Sequence, residues 1–436
     1  MKIIYVTVRC PFGIGETFII SELLELVRLG QTVLIVPRSP TNSLVNQDAA
    51  ELLDLTESRP LFSGSIAWAS LVESVRGPGR VIRAFGLLCH SRDPVIFLKN
   101  LAVFCKGLWL AQMARRWGAA HIHAHWAATN ATIALVASEV SGVPWSLTAH
   151  RWDIVENNLL ALKVRKASFT RFISSSGLRL ARALDIRDSE KTVVLHMGVQ
   201  VPIDTSEVRE PNDCPAIILC PANLIPVKGH RYLLDALAIL GQRGLRPCLW
   251  LAGDGELREQ LRRQADDLGI SDRVRFLGVV PHEKLLDLYR CGKVCMVVLP
   301  SVDLGDGHHE GIPVALMEAM SYGIPVISTA AGGVPELLSG GAGLLVPPGD
   351  PSPLADAIES MLRGPQLREQ YGRAGSAKVD DEFNIKSIAI KLMQQFLRLT
   401  EEPEGDVQPG DYSRVRRPLD RPSDGGRGQG IGGGAG

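Results

Sequence analysis

Twice along this chain, short runs of apolar and β-branched residues alternate with helix-length segments, and the runs are apolar throughout. In the first series KIIYVTV precedes a helix predicted near 17–29 and then QTVLIV. HIHAH, a helix near 128–141, WSLTA, SFTRFIS, a helix near 176–184 and TVVLHMG follow. The second series reads AIILC, a helix near 229–243, PCLWLAG, a helix near 255–268, VRFLG, VCMVVLP, a helix near 313–322, IPVIST and GLLVP. A strand that is apolar at every position needs cover on both faces, and the intervening helices supply it. Each series therefore predicts a buried parallel sheet. Two series predict an α/β protein of two doubly wound domains facing a central cleft, in keeping with 436 residues, too many for one core.

The break between the series falls at GVQVPIDTSEVREPNDCP, residues 198–215, which is polar, proline-bearing and non-periodic. This divides the chain into a first domain over 1–205, with a mostly helical insertion at about 66–118, and a second over 206–380. A C-terminal helix over 381–400 and a tail over 401–436 follow; the tail has almost no apolar content and is expected to be disordered. A hydrophobic content of 45% and a charged content of 22% are those of a soluble globular protein. Lysine plus arginine equals aspartate plus glutamate at 47 each, so no overall field recruits nucleic acid. Residues 1–200 nevertheless carry 22 basic against 15 acidic side chains, a net +7 that the rest of the chain balances.

Eight cysteines at 10, 89, 105, 214, 220, 248, 291 and 295 include no C-x-x-C, and many sit in apolar runs. That pattern reads as buried reduced thiols and a cytoplasmic location. The N-terminal apolar stretch is too short for a signal peptide, and no 18 uncharged apolar residues run together to suggest a transmembrane helix.

The stretch DGHHEGIPVALMEAMSYGIPVIST, Asp306 to Thr329, carries two carboxylates eight residues apart, Glu310 and Glu318. Pro313 fits a first helical position, and the helix after it is apolar nearly all round, so Glu318 needs hydrogen-bond donors where it sits. No H-E-x-x-H arises from His308, His309 and Glu310, which leaves a metal unsupported. Eight residues at helical rise separate the backbones by about 12 Å. That is wide for a glycosidase carboxyl pair, which works at roughly 5–9 Å. The spacing suits a ligand with hydroxyls at both ends and an anionic middle. Glu318 would accept from a ribose diol, the N–H groups of Val314 and Ala315 would hold a diphosphate, and Glu310 would meet a sugar. The alternative is that Glu310 caps the helix and Glu318 pairs with a buried arginine.

Glu310, Gly311, Pro313, Glu318-Ala319-Met320, Gly323, Pro325-Val326-Ile327, Thr329, Gly332-Gly333 and Glu336 together resemble the E-x7-E motif of the family 4 retaining glycosyltransferases. That family has two Rossmann-like domains, the GT-B fold. NLIPVKGHRYLLDAL resembles its phosphate-lysine segment, LWLAGDGELREQL its G-x-G strand end, and VRFLGVVPHEKLLDLYRCGKVCMVVLPS its nucleobase loop and following strand. GIGETFIISELLEL resembles the N-terminal loop of exopolysaccharide and colanic-acid-type members, and the likeness extends over nearly residues 1–400. The resemblance implies a metal-independent retaining transfer of a sugar from a nucleoside-diphosphate sugar to a glycan or polyprenyl-diphosphate-linked acceptor, in cell-surface polysaccharide or lipopolysaccharide biosynthesis. It implies that Lys228 contacts the diphosphate, Glu318 the ribose and Glu310 the sugar, with His150 facing sugar and phosphate from the first domain. The remaining donor contacts would come from Gly311, Ile312, Pro313, Val314 and Ala315, with the nucleobase against the backbone of Gly278 and Val279. One departure stands out: the family's arginine five residues before the lysine is here Asn223. An amide carries no charge, so a catalytically silent scaffold stays open beside the enzyme, as does a nucleotide-sugar epimerase.

No Asp-x-Asp occurs, so a metal-held diphosphate is unsupported. Gly13 and Gly15 in PFGIGETF lack the third glycine of a dinucleotide loop and are read as letting the backbone approach a phosphate or acceptor, or as a plain turn. His121, His123 and His125 share one face of a strand and are read as packing or cleft lining. Arg151 is a possible stand-in for the missing arginine, and Glu336 is read as capping the helix after Pro335. Over 80–118, Arg80, Arg83, Arg92, Lys99, Lys106, Arg115 and Arg116 stand against Asp93 with large apolar residues between them. This reads either as a contact with the inner face of the plasma membrane or as a buried helix with a basic edge.

Overall fold

The computed structural model describes residues 1–12, 16–41, 48–186, 190–202, 216–305 and 310–401. Gly13 and Gly15, His308 and His309, most of the expected linker and the tail from 402 lie outside the described residues.

The first half runs β1 (Lys2–Thr7), α1 (Thr17–Arg28), β2 (Thr32–Pro37), then three helices in succession, α2 (Gly64–Arg76), α3 (Pro78–Leu88) and α4 (Pro94–Trp117). β3 (His121–His125), α5 (Thr129–Ser141), β4 (Trp145–Ala149), α6 (Arg151–Glu156), α7 (Leu160–Lys166), β5 (Thr170–Phe172), α8 (Ser175–Ala183) and β6 (Thr192–Val194) complete it. Its six strands pair in parallel in the order β2-β1-β3-β4-β5-β6.

The second half runs β7 (Ile217–Cys220), α9 (His230–Gln242), β8 (Cys248–Ala252), α10 (Arg258–Asp267), β9 (Val274–Gly278), α11 (His282–Arg290) and β10 (Val294–Leu299). α12 (Val314–Ser321), β11 (Val326–Thr329), α13 (Val334–Leu337), β12 (Leu344–Val346), α14 (Pro351–Arg363), α15 (Pro365–Glu382) and α16 (Ile385–Glu401) follow. Its sheet is also six-stranded and parallel, in the order β12-β11-β10-β7-β8-β9. Counted from its own first strand this is 6-5-4-1-2-3, the doubly wound order that reverses between its first and fourth strands. The corresponding switch in the first sheet lies between β1 and β3.

β3, β4 and β10 are buried at every position, as strands covered on both faces must be. The three histidines of β3 are therefore inside the first domain. His121 and His123 share the Ser146 hydroxyl at 2.7 Å each, and His123 also meets the Thr148 hydroxyl at 2.9 Å. Burial pushes the His121 ring down to about 3, so it is neutral and packs as an aromatic side chain against Phe169 and Phe396. Phe396 comes from α16, which returns across the molecule and sets Ile388, Leu392 and Phe396 into the core of the first domain. A short parallel bridge ties the same return: Val199 N–H donates to the Phe383 carbonyl and Ile385 N–H to that of Val199.

α4 starts at an Asp93 cap, whose side chain accepts from Ile96 N–H, and ends at Gly118 in the left-handed region. It is long and apolar enough to cross a membrane by length and composition, but over half of that stretch is buried within the protein. The basic stretch read over 80–118 is accordingly split. Lys106 is buried and donates to the carbonyls of Pro37, Arg38 and Arg59, with burial pushing it down to about 8. Arg115 pairs with the buried Glu73. Lys106 thus ties α4 to the end of β2 and to the loop before α2, and Arg115 ties α4 to α2.

Candidate active site

Lys228 and Glu310 lie 82 residues apart and meet at the switch point of the second sheet. The chain leaving β7 makes a tight turn, Pro226–Lys228, and enters α9 through Gly229 at φ +68°. A Cβ on Gly229 would lie 1.9 Å from the Pro300 carbonyl oxygen, so only glycine lets this turn press against the end of β10. Val302 N–H then donates to the Val227 carbonyl. The result aims the Lys228 ammonium at the Glu310 carboxylate, 2.5 Å away, with the Ser301 hydroxyl 3.4 Å from the same oxygen.

Glu310 precedes Gly311, whose carbonyl accepts from Gly333 N–H, and the chain then enters α12. Pro313 sits one residue before the position read from sequence: it is the extended cap residue, φ −73° and ψ 116°, and Val314 is the first helical residue. Its carbonyl accepts from Leu316 and Met317, and the N–H groups of Val314 and Ala315 stand at the helix mouth, where the helix dipole favours an anion.

Glu318, one turn further on, does not pair with an arginine. Its Oε1 takes a 2.7 Å bond from His282 Nε2 at the start of α11. The loop from Gly278 (φ +70°) through the exposed Val279 to His282 is held against the end of β8 by a bridge between Gly278 and Gly253. Gly253 in turn accepts no side chain, because a Cβ there would lie 2.0 Å from the Ala222 carbonyl oxygen. Asn223, next in the chain, is exposed on that loop. The ends of β7, β8, β9 and β10 thus gather Asn223, Lys228, Gly278, Val279, Glu310, Gly311, Ile312, Pro313, Val314, Ala315 and Glu318 on one rim of the sheet.

The first domain presents a second constellation at its own switch point. Glu16, just before α1, accepts from the N–H groups of Val8, Arg9 and Cys10 at 3.0, 2.5 and 2.8 Å after β1, and from the Trp126 indole at 2.8 Å after β3. Trp126 holds φ +85°, an uncommon conformation for a bulky residue and the kind of local strain that collects at ligand sites. Val8, Arg9, Glu16 and Trp126 border a cavity of about 510 Å³ that Trp152, Asp153 and Glu156 of α6 also line. Asp153 is buried, accepts from Ala127 N–H through one oxygen and has no hydrogen-bond partner on the other; burial pushes its carboxyl up to about 7. Beside it the buried Lys163 ammonium donates to the carbonyls of Ala127 and Ala128.

His150 lies at the back of this constellation, buried, with its Nε2 2.8 Å from His125 Nε2 and its ring stacked on Trp126 at 4.0 Å. Burial, then the neighbouring His125, holds it well below the usual histidine range, so it is neutral. Beneath His125 a buried Glu22–Arg171 pair, 2.6 Å apart, closes the network. Arg151, next to His150, is partly buried and interacts electrostatically with Asp303 of the second domain.

Glu336 caps a different helix from the one expected. Its carboxylate reaches the first domain, where it accepts from Ser175 and Ser176 N–H at the mouth of α8 and from His196 Nε2 at 2.8 Å. Burial alone would raise this carboxyl; the His196 ring and the Ser175 donor outweigh it and hold it down at about 2.

Sequence reasoning missed His282, the Glu16–Trp126 bond and the Asp153 pocket. No spacing rule links partners as far apart in sequence as His282 and Glu318 or Glu16 and Trp126. Only Trp126 directly after HIHAH, at the end of a predicted strand, gave a signal. Among the described residues no group of three histidine, cysteine, aspartate or glutamate side chains stands close enough to hold a metal ion.

A family model for glycosyl transferases group 1 matches residues 204–378. The D-inositol 3-phosphate glycosyltransferase of Frankia alni is 30% identical over 290 residues, 59% of this chain and 69% of that protein. The chain belongs to the group 1 glycosyltransferases. Within the family it is 34% identical, over 213 residues and 48% of its length, to the amylovoran biosynthesis glycosyltransferase AmsK of Erwinia amylovora. It spans about half the length of that relative, 51%. Among solved structures, HepE of Anabaena in complex with UDP-glucose superimposes with a TM-score of 0.64 at 19% identity, over 91% of this chain and all of that one. The architecture of this group 1 glycosyltransferase is GT-B.

Proposed function

We propose that this group 1 glycosyltransferase binds a nucleoside-diphosphate sugar on the second domain and passes the sugar, with retention, to a glycan or lipid-linked acceptor held by the first. The observation that carries the reading is the junction of Lys228, Glu310 and the α12 mouth at the β7/β10 switch point, with Glu318 one helical turn away. A diphosphate seated on the Val314 and Ala315 N–H groups would lie beside the Lys228 ammonium, and the ribose diol would donate to Glu318. Glu310, released from Lys228 by the incoming phosphate, would accept from the sugar hydroxyls.

The main electrostatic task is to stabilise the departing diphosphate as its charge develops. Lys228 and the α12 dipole do this without the family's arginine, because Asn223 offers only amide N–H groups. Attack by the acceptor on the leaving-group face assigns no nucleophile to the protein. His150, neutral and stacked, acts through Trp126 and His125 by fixing the wall of the first-domain cavity. That cavity suits an acceptor sugar: the Trp126 and Trp152 rings offer apolar faces, and the Glu156 side chain at its edge offers a hydrogen-bond acceptor. The donor is read as a UDP- or GDP-sugar, no metal is required, and the process served is exopolysaccharide or lipopolysaccharide assembly at the inner face of the plasma membrane. The relatives' names support this: AmsK is an amylovoran biosynthesis enzyme, and HepE holds UDP-glucose.

The test is a thermal-shift screen of nucleoside diphosphates and their sugars, followed by transfer to polyprenyl-diphosphate-linked acceptors with and without EDTA. Stabilisation by one nucleotide and EDTA-insensitive transfer are expected. Nucleotide binding without transfer to any acceptor would favour a silent scaffold, for which Asn223 is the sequence signal. Loss of activity in EDTA, restored by a divalent cation, would overturn the metal-independent step.

A further inference from the structure

We infer that α2, α3 and α4 form a face that docks the protein on an anionic lipid bilayer. Of the 18 large apolar side chains that stand exposed among the described residues, nine lie between residues 62 and 101: Phe62, Trp68, Leu71, Val75, Ile82, Phe85, Val95, Leu98 and Leu101. Scattered exposed apolar groups are ordinary, but such a concentration marks an interaction surface.

Helical spacing arranges them. On α2 the exposed residues Trp68, Leu71 and Val75 fall at i, i+3 and i+7, while Ile66, Ala69 and Glu73 point inward. On α3, Ile82 and Phe85 are one turn apart, with Ala84 and Leu88 inward. On α4, Val95, Leu98 and Leu101 form the outward stripe, opposite Ile96, Asn100 and Val103. Contacts knit the helices into one layer: the Ser70 hydroxyl on α2 donates to the Cys105 carbonyl on α4, and the Phe85 ring on α3 meets Phe97 and Phe104 on α4. Trp68, Val75 and Ile82 are 67%, 77% and 70% exposed, values that a side chain waiting to be covered would have.

Charge selects the occupant. Arg76, Arg80, Arg83, Arg92 and Lys99 are all exposed on these helices or the turn before α4. Of the two acids there, Glu73 is buried with Arg115 and Asp93 is spent on its helix cap. Arg83 and Lys99 also reach Glu139 of α5 and Glu156 of α6, and Arg92 pairs with Asp93, which leaves the cationic excess centred on Arg76 and on Arg80, whose guanidinium keeps its charge while donating to the Val140 carbonyl. A second copy meeting this face about a two-fold axis would bring arginines against arginines. A leaflet of anionic lipid meets both features, taking the apolar side chains between its head groups while the arginines reach phosphates at the same level. The face is therefore displaced from the stretch 80–118 read in the sequence. It begins near Phe62 and ends near Leu101, because the second half of α4 is core. Docking there would bring a lipid-borne acceptor to the first domain, a consequence that rests on the proposed function; the docking itself does not.

The test is flotation of the full-length protein, without nucleotide, with vesicles of phosphatidylcholine alone or of two parts phosphatidylcholine to one part phosphatidylglycerol. Binding to the anionic vesicles should be at least about tenfold stronger and should fall in about 0.5 M salt. Trp68→Ser with Ile82→Ser, and separately Arg76→Glu with Arg80→Glu, should each lower it about tenfold or more, while the nucleotide-induced thermal shift stays at its wild-type value. Equal binding to neutral and anionic vesicles, or both double variants binding as wild type, would overturn the inference. So would a dimer in light scattering that Trp68→Ser with Ile82→Ser dissolves while vesicles are ignored. Because vesicle binding needs no donor, its failure leaves the donor site standing, and failure of nucleotide binding leaves the docking face standing.

Discussion

Replacing Glu336 by glutamine should loosen the contact between the two domains in a pH-dependent way. The carboxylate sits on the second domain and accepts from two backbone N–H groups and one imidazole of the first. Its pKa is held at about 2 against 4.5 for a free glutamate, which corresponds to roughly 3 kcal/mol of preference for the folded, ionised form. The side chain keeps some solvent contact, which screens part of this, so about 2 kcal/mol is the working value. Because the folded pKa lies below the unfolded one, the stabilisation is complete above about pH 4.5 and is lost as pH falls towards 2. Glu336→Gln should therefore cost about 2 kcal/mol at pH 7 and less than half of that at about pH 3. Urea unfolding followed by circular dichroism at both pH values measures it. A cost at neutral pH no larger than that of an ordinary surface substitution, or an equal cost at the two pH values, would refute the reasoning.

Three further outcomes follow from the donor site. Glu318→Ala removes the acceptor assigned to the ribose and should weaken nucleotide binding about 10- to 100-fold in calorimetry; an unchanged Kd would remove Glu318 from the site. Lys228→Ala should slow transfer by about 10² to 10³ while donor affinity changes less than about tenfold, and a rate close to that of wild type would show that the diphosphate leaves without it. Gly229→Ala places a Cβ against the Pro300 carbonyl at positive φ and should destabilise the second domain by about 3 kcal/mol or more; melting at the wild-type temperature would contradict the need for glycine in this turn.

The architecture was legible because burial on both faces writes itself into a strand. AIILC and VCMVVLP are apolar throughout, and the structure finds β7 and β10 side by side at the switch point. Glu310 and Glu318 were legible as a pair from the motif around them, although only Glu318 lies on α12 and Glu310 stands four residues before Val314, outside the helix. Their partners were not. Lys228 reaches Glu310 through a parallel sheet whose crossover separates them by 82 residues, and the sequence assigned each to a different part of one ligand. His282 answers Glu318 from another helix, where an imidazole took the place of the arginine considered. Glu336 shows the same limit from the other side. Its position after Pro335 is that of a capping residue, but the helix it caps belongs to the other domain, and domain placement has no signal in local spacing. The charges over 80–118 show a related limit: a cation count cannot separate Lys106, which is buried on three carbonyls, from Arg80 at the surface.

Both switch points carry a constellation, Lys228 with Glu310 between β7 and β10, and Glu16 with Trp126 between β1 and β3. Parallel strands diverge there and leave a crevice at their carboxyl ends, so the fold itself offers one pocket per domain. Local residues then distinguish them: the α12 mouth and a lysine stand at one, while indole rings and the buried Asp153 line the other, which the proposed function assigns to the acceptor.

A crystal soaked with UDP or GDP tests the donor assignment most directly. The diphosphate should lie on the Val314 and Ala315 N–H groups with the ribose on Glu318, and the Lys228 ammonium should have turned from Glu310 to phosphate oxygen. Nucleotide density elsewhere, with Lys228 still 2.5 Å from Glu310, would contradict it.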